Sequence, residues 1–537
     1  MFEQFITALG ALLTIKVFPL MVIGIVVGLI FGSIPGLTAT MAVALILPMT
    51  YGMETVTGMS FLIALYVGGI SGGLISAILL NIPGTPSSIA TCFDGTPMTR
   101  KGEAGRALAT GIFASFVGGM VGNLVLIFLA PPVANFAINL GAFEYFSIGV
   151  FAITVLASLA SGSLLKGLIA GSIGMFASTF GMAPVDGVKR FTFGFEIMDA
   201  GFAFLPVLLG AFALSDIFKE FADNTFRDRA SVKTNVIGKY TVDLRDMGRQ
   251  WVNFLRSSLL GTFIGILPGI GGSTASILAY SEARRASKTP EKFGTGISDG
   301  LVASEASNNG MVGGALCTLI TLGIPGDSTT AILLGGLMIH SVQPGPLLMM
   351  TNPEVVYGIF AALFLSNILF FVIEYSGIRL FTKILNVPKY LLFPVILVMC
   401  VIGSYANNNV MFDVYTMIGF GFLGFFMSRY GYSMPCFVIG FILGPMIETN
   451  YQRALMFSKG DLTPFITKPI SAFFLAVAAL SIGASLWREH KQARKGAVAK
   501  DALEDACASS LTAAKACAVQ PAGQMKQGRP DETGPGA

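Results

Sequence analysis

The sequence predicts an all-α polytopic membrane protein: two inverted-topology repeats with broken or re-entrant helices. Three observations predict it. Long apolar stretches carry almost no charge, a pair of Pro-Gly helix breaks occurs twice, and the Lys/Arg residues of the loops change places between the halves.

Hydrophobic residues make up 53% of the 537 and charged residues 12%, against ~25% charged in a soluble domain. No charge occurs from Gly58 to Phe93. Only Glu144, Lys166 and Asp186 occur from Ala107 to Val188, and only Asp413 from Tyr390 to Ser428. Each stretch has room for at least one crossing of about 20 residues, and roughly ten to thirteen membrane segments fit that rule, re-entrant ones included. The first segment outruns a signal-peptide core and reads as retained. The net charge of +4 excludes little, because membrane charge acts through local loops. Cys92, Cys317, Cys400 and Cys436 lie in or beside apolar segments and read as small buried hydrophobes. No CxxC pair suggests a disulfide framework or metal cluster. Without a Walker A loop, ATP-driven transport by this chain has no support. No cofactor and no nucleic-acid partner is expected.

The breaks come in matched pairs. The first half holds Gly32-Ser33-Ile34-Pro35-Gly36-Leu37-Thr38 and Asn81-Ile82-Pro83-Gly84-Thr85-Pro86-Ser87-Ser88. The second holds Gly265-Ile266-Leu267-Pro268-Gly269-Ile270-Gly271 and Gly323-Ile324-Pro325-Gly326-Asp327-Ser328-Thr329-Thr330. The offset is 233 positions from Pro35 to Pro268 and 242 from Pro83 to Pro325, and the difference falls in a charged insert, Glu282 to Asp299. Gly68 and Gly72 match Gly310 and Gly314 at the second offset. A repeat this long is no solenoid unit.

The loops supply the orientation. Arg284, Arg285, Lys288 and Lys292 follow the first break of the second half, while Tyr51 to Thr57 in the first half has no Lys or Arg. Arg100, Lys101 and Arg106 follow the second break of the first half, while His340 to Pro353 has none. Cytoplasmic loops are Lys/Arg-rich, so the two halves read as inverted. The organisation follows: a first transmembrane repeat (1–215), a cytoplasmic linker (216–250), a second transmembrane repeat (251–450), a C-terminal membrane segment (451–487) and a disordered tail (488–537). The linker and its flank, Asp216 to Arg256, carry eight Lys/Arg residues. The tail lacks the apolar content to bury a core.

Pro removes an amide donor and breaks the helix ladder. Freed backbone groups persist at membrane depth only where protein or a watery cavity satisfies them. Paired half-helix ends at matching places are the sequence mark of a transporter's substrate site. Pro35, Gly36, Pro83, Gly84, Pro268, Gly269, Pro325 and Gly326 are the candidate backbone. Thr38, Thr40, Asn81, Thr85, Ser87, Ser88, Ser273, Thr274, Ser328, Thr329 and Thr330 are neutral donors and acceptors suited to carboxylate oxygens. Asp327 is the only charge between Asn309 and Asn352, and an intramembrane acid is a functional candidate. With Asn308 and Asn309 from the polar run Glu305-Ala306-Ser307-Asn308-Asn309, it is the expected place for a coupling Na+ or H+. Its bland reading is an N-cap. Any single Ser in a membrane helix is more often packing than ligand; the weight lies in the duplication. Gly24, Gly28 and Gly32, Gly68 and Gly72, and Gly440 and Gly444 read as helix-contact ridges. The Asn407-Asn408-Asn409 run reads as a loop, and Asp94 to Arg106 as a basic cytoplasmic loop.

Two rivals remain from other classes. A passive anion channel or exporter would use the same breaks. An intramembrane serine hydrolase is suggested by Gly69-Ile70-Ser71-Gly72-Gly73. It needs a base, and of the two histidines only His340 lies outside the tail.

With these residues in place, the chain resembles the large membrane subunit of tripartite tricarboxylate transporters from Met1 to about Trp487. The breaks carry the resemblance, together with Asp94-Gly95-Thr96-Pro97-Met98-Thr99-Arg100-Lys101-Gly102-Glu103-Ala104-Gly105-Arg106 and Ala303-Ser304-Glu305-Ala306-Ser307-Asn308-Asn309. The resemblance implies a multi-pass permease of the bacterial inner membrane and not an enzyme. Its implied partners are a small membrane subunit, a periplasmic solute-binding protein, membrane lipid and a di- or tricarboxylate, with import driven by a Na+ or H+ gradient.

Overall fold

The computed structural model describes residues 2–159, 163–223, 238, 240–385, 389–487 and 489–491. Most of the expected tail and part of the expected linker lie outside the described residues. Two compact units are present, Met1–Ile482 and Gly483–Ala537. In the second, residues 483–487 and 489–491 are helical.

The larger unit is helical nearly throughout. Helix α1 (Phe2–Leu12) precedes α2 (Phe18–Ser33), α3 (Ala39–Ile46), α4 (Thr55–Leu80), α5 (Ile89–Arg100), α6 (Ala104–Ile138), α7 (Ala142–Leu159) and α8 (Leu164–Ala177). A two-stranded hairpin pairs Gly181–Met182 with Lys189–Arg190. Helices α9 (Phe204–Leu208) and α10 (Ser215–Ala222) are joined by a π-turn, Leu209–Leu214. Then come α11 (Leu244–Arg249), α12 (Trp251–Ile266), α13 (Gly271–Ala286), α14 (Ser298–Leu322), α15 (Ser328–Ile339), α16 (Leu348–Thr351), α17 (Pro353–Ile384), α18 (Lys389–Asn408), α19 (Met411–Arg429), α20 (Met434–Ser458) and α21 (Pro464–Thr467). Among the described residues six helices are long and apolar enough to cross a membrane: α4, α6, α17, α19, Tyr390–Asn408 of α18, and Pro469–Lys491. Shorter apolar helices, α2, α3 and α15 among them, are products of the breaks.

One plan runs twice. A helix stops at Pro-Gly, a second leaves the break, a long helix follows, a second Pro-Gly break ends it, and a short helix leads into another long one. Helices α2 to α6 carry it first, α12 to α17 again. The charged insert lengthens α13 and the loop after it, where α3 ends in a 3-10 turn, Leu47–Thr50.

Small residues let the helices touch backbone to backbone. A Cβ on Gly24 would lie 2.9 Å from the Phe61 carbonyl oxygen, and one on Gly72 2.6 Å from that of Leu29, so α2 lies flush on α4. Gly310 meets the Ser258 carbonyl at 2.7 Å by the same measure, and α12 lies flush on α14. Gly440 abuts the Gly171 backbone and Gly444 meets Ser178, joining α20 to α8. The expected glycine ridges are contacts. Helices α4 and α14 form the centre, buried without interruption from Gly58 to Ile78 and from Gly300 to Thr321.

The halves also exchange partners. Helix α6 packs along α14 and α17 along α4. Likewise α8 packs on α20, and α19 on the π-turn between α9 and α10.

Two expected loops are helical. Asp94 to Arg100 belongs to α5 despite Gly95 and Pro97, and Ala104 begins α6. Asn407 and Asn408 end α18, both donating to the Asp413 carboxylate, with Asn409 in left-handed backbone at φ 57°. In each case long-range or cross-turn hydrogen bonds outweigh weak helix propensity.

Candidate functional site

The breaks repeat at the level of backbone. Gly36 and Gly269 have φ of 92° and 72°, left-handed values that Gly adopts without strain. Left-handed residues also close the two central helices, Asn81 after α4 (φ 59°) and Gly323 after α14 (φ 71°). A Cβ on Gly84 would overlap the Gly32 carbonyl, and one on Gly326 the Gly265 carbonyl. Each second break is thus seated on the end of its own first helix, where only Gly fits.

Four helix N-termini meet as a result. Thr38 caps α3, its hydroxyl accepting from the Met41 amide at 3.1 Å. Helix α13 begins at Gly271, with Ser273 and Thr274 half-buried in its first turn. Thr85 leads through the turn Pro86–Ser88 into α5, and Asp327 caps α15. The contacts join them in a chain. The hydroxyls of Thr40 and Thr329 are 2.9 Å apart. A Cβ on Gly271 would lie 3.9 Å from Asp327 Cβ, and one on Gly272 2.7 Å from both Ser87 Cβ and Asn308 Oδ1. Thr85, Ser87, Ser88, Asp327, Thr329 and Thr330 are buried, whereas Thr38, Thr40, Ser273, Thr274 and Ser328 are half-buried.

Of the expected site residues, those of the four N-termini and Asn308 come together. Neither amide atom of Asn308 has a hydrogen-bond partner, although the residue is fully buried. Asn309 instead donates to its own helix, at the Glu305 carbonyl. Asn81 is exposed and accepts from Thr96 of α5, away from the convergence.

Asp327 makes a capping box: Oδ1 accepts from the Thr330 amide at 2.8 Å and its hydroxyl at 2.6 Å, while the Asp327 amide donates to Thr330 Oγ1 at 2.9 Å. Tyr66 of α4 donates to Oδ2 at 2.8 Å. The N-cap reading is therefore realised. Tyr66 was not singled out by the sequence, yet it stands one 242-residue offset before Asn308. Transferring that polar position between repeats finds it.

Glu305 lies deeper in α14, accepting from Ser115 at 2.9 Å and from Thr91, and so ties α5 and α6 to α14. Asp94 was known only as part of a motif. Its Oδ1 accepts from the amides of Gly294, Gly296 and Ile297, and Tyr280 donates to Oδ2 at 2.9 Å. A carboxylate of α5 thereby supplies the cap of α14, which has none of its own. Ser71 donates to Glu374 of α17 at 2.6 Å, whereas the His340 ring lies against Gly58, more than three turns away along α4. The hydrolase motif is not joined to its imidazole.

An anion suits the convergence. A helix N-terminus carries roughly half a positive charge; at α3 and α15 a cap takes one first-turn amide, and hydroxyls and the Asn308 carboxamide stand beside the four ends. Fold and site define a polytopic membrane protein with paired broken helices, the architecture of secondary transporters. More particularly, residues 18–439 match the tripartite tricarboxylate transporter TctA family, and the chain belongs to it. It is similar to an uncharacterised 52.8 kDa protein of the TAR-I ttuC′ 3′ region of Agrobacterium vitis, 37% identical over 455 residues, covering 85% of this chain and 90% of the relative. A protein of the TAR-II ttuC′ 3′ region of the same organism is 36% identical over 222 residues, 41% of this chain and 92% of the relative. No solved structure matches.

Proposed function

We propose that this chain is the large permease subunit of a binding-protein-dependent secondary transporter, importing a di- or tricarboxylate through the bacterial inner membrane on a Na+ or H+ gradient. Membership of a transporter family supports the class. The observation that carries the mechanism is the meeting of four half-helix N-termini around buried hydroxyls and the unpaired Asn308 amide. A periplasmic binding protein delivers the carboxylate, and a small membrane subunit completes the assembly. The substrate lies between the repeats, its oxygens taking the amides and hydroxyls at Thr38, Thr85, Ser87, Ser273 and Thr329. The partner exchange of α6 and α17 supports repeats related by a two-fold axis, and the swapped Lys/Arg loops support an axis lying in the membrane plane.

Two measurements test this. Single cysteines at Thr55 and Ser287, in a background free of native cysteines, label from opposite sides of the membrane; labelling from one side removes the inverted arrangement. Proteoliposomes holding the subunit with its partners show counterflow, in which unlabelled carboxylate inside drives labelled carboxylate inward. Flux without counterflow makes the protein a pore.

A further inference from the structure

Where α17 crosses α4, a carboxyl group stands in the apolar interior. Glu374 is fully buried; Ser71 satisfies Oε2 at 2.6 Å and Oε1 has no hydrogen-bond partner. Among the described residues it forms no ion pair. Its surroundings supply no counter-charge. Helices α2 and α4 carry no charged residue, α6 only the exposed Arg106, and α1 only the exposed Glu3; on α17 itself Arg379 and Lys383 are exposed. Glu305 of α14 is held by Ser115 and Thr91, and Tyr66 of α4 is committed to Asp327. An ionised carboxylate so placed is costly. The resting form is therefore the neutral acid.

A metal cation fits poorly. Hard cations take a cage of oxygens. Here two unbroken helices offer one carboxylate and one hydroxyl, and no group of three His, Cys, Asp or Glu side chains occurs among the described residues. A proton needs no cage.

We infer that Glu374 takes up and releases the coupling proton, with Ser71 as its positioning partner, an inference that rests on the transport reading above. Helix α4 is the link. Its Gly69 packs on Ala39 of α3, its Gly73 on Thr85 and Ser88, and its Tyr66 holds Asp327. One face of α4 thus touches both second breaks while Ser71 meets Glu374. With the proton on, α4 and α17 stay in contact. With the proton released, the charge draws water between them and the face supporting the Pro83 break moves. The repeat equivalent of Ser71 is Gly313, which lies against the Gly122 backbone with no titratable group. The other buried acid of the paired helices, Glu305, differs in that both its oxygens are held, by Ser115 of α6 and Thr91 of α5.

Infrared spectra of the purified full chain across a pH titration test the site without any substrate. A protonated-carboxyl carbonyl band is expected that disappears in Glu374→Gln and shifts in frequency in Ser71→Ala. A titrating band unchanged in both variants, or no such band, overturns the inference. Ser71→Ala keeps the acid, so it decides the matter if Glu374→Gln does not fold. Reconstitution with the partner subunits, using labelled citrate as probe, tests coupling. Glu374→Gln is expected to keep counterflow and lose accumulation driven by a pH gradient; wild-type accumulation and pH dependence in this variant overturn the coupling role. If the wild type shows neither counterflow nor accumulation of any carboxylate tried, the transport reading fails while the infrared result stands on its own.

Discussion

The Pro83 and Pro325 breaks share a backbone and differ in what their side chains do. At the first, the capping position is Thr85, its hydroxyl 3.0 Å from that of Ser87 and 3.1 Å from that of Ser88, and Asn308 approaches with its amide unpaired. At the second it is Asp327, whose two oxygens are taken up by Thr330 and Tyr66. One end is neutral with donors to offer; the other is charged and satisfied within the protein. The same scaffold therefore leaves polar groups unpaired beside one break and ties the cap of the other into the protein. Asp327, a candidate for coupling from sequence, has its charge answered by a helix N-terminus and three donors, whereas Glu374 does not.

The largest effect tests what the breaks share. Gly84→Val and Gly326→Val each drive a side chain into a carbonyl of the preceding helix, a worse conflict than the ~1–3 kcal/mol of ordinary core overpacking. Both variants should lose folded protein, read by size-exclusion of membrane extracts. Tolerance of one alone would show that the breaks are seated differently. The next tests what divides them. Asp327→Ala forfeits the cap and the Tyr66 partner, about 2 kcal/mol of stability on the scale of caps and charged hydrogen bonds. Thr85→Ala should cost less than half of that in thermal denaturation. Asp327→Asn retains capping ability and should accumulate substrate with the wild-type dependence on pH and Na+; loss of that dependence would return the coupling site to this break. Smaller again are Thr85→Val, Ser87→Ala and Ser328→Ala. Each should weaken uptake by ~1–2 kcal/mol, roughly five- to thirtyfold, with the Thr85 and Ser87 variants the more affected. Equal loss at Ser328 would mean that both ends hold substrate. The smallest effect is Tyr66→Phe, which removes one interhelical hydrogen bond worth about 0.6 kcal/mol in a membrane. It should lower stability slightly and leave uptake unchanged.

The breaks were legible in the sequence because Pro and Gly impose backbone geometry wherever they stand, and their duplication showed which breaks belong to the shared plan of the two halves. Helix contacts through Gly24, Gly28 and Gly72 were legible for the same local reason. What stayed hidden was the partner of each polar side chain. Tyr66 and Asp327 are 261 residues apart, Ser71 and Glu374 303, and no local pattern joins them. Asp94 to Arg100 reads as part of a basic loop; the bonds that hold it come from the end of α4, through Thr96 and Thr99, and from the other half, through Asp94. Glu374 carried a visible signal, an acid among the apolar residues of α17, yet its meaning depends on an α4 face that only the fold supplies.

The Asp94 cap bears on how the chain is made. Gly294 leaves the ribosome 200 residues after Asp94. Until it does, α5 holds a carboxylate with none of its three backbone donors in place, and the first half alone cannot bury that end without leaving a charge unmatched. When Gly294, Gly296 and Ile297 arrive, the same carboxylate starts α14, the helix on which the second half is built. The start of α14 is thus capped by a residue made long before it, and the two halves share that cap as they share the α6–α14 and α4–α17 contacts.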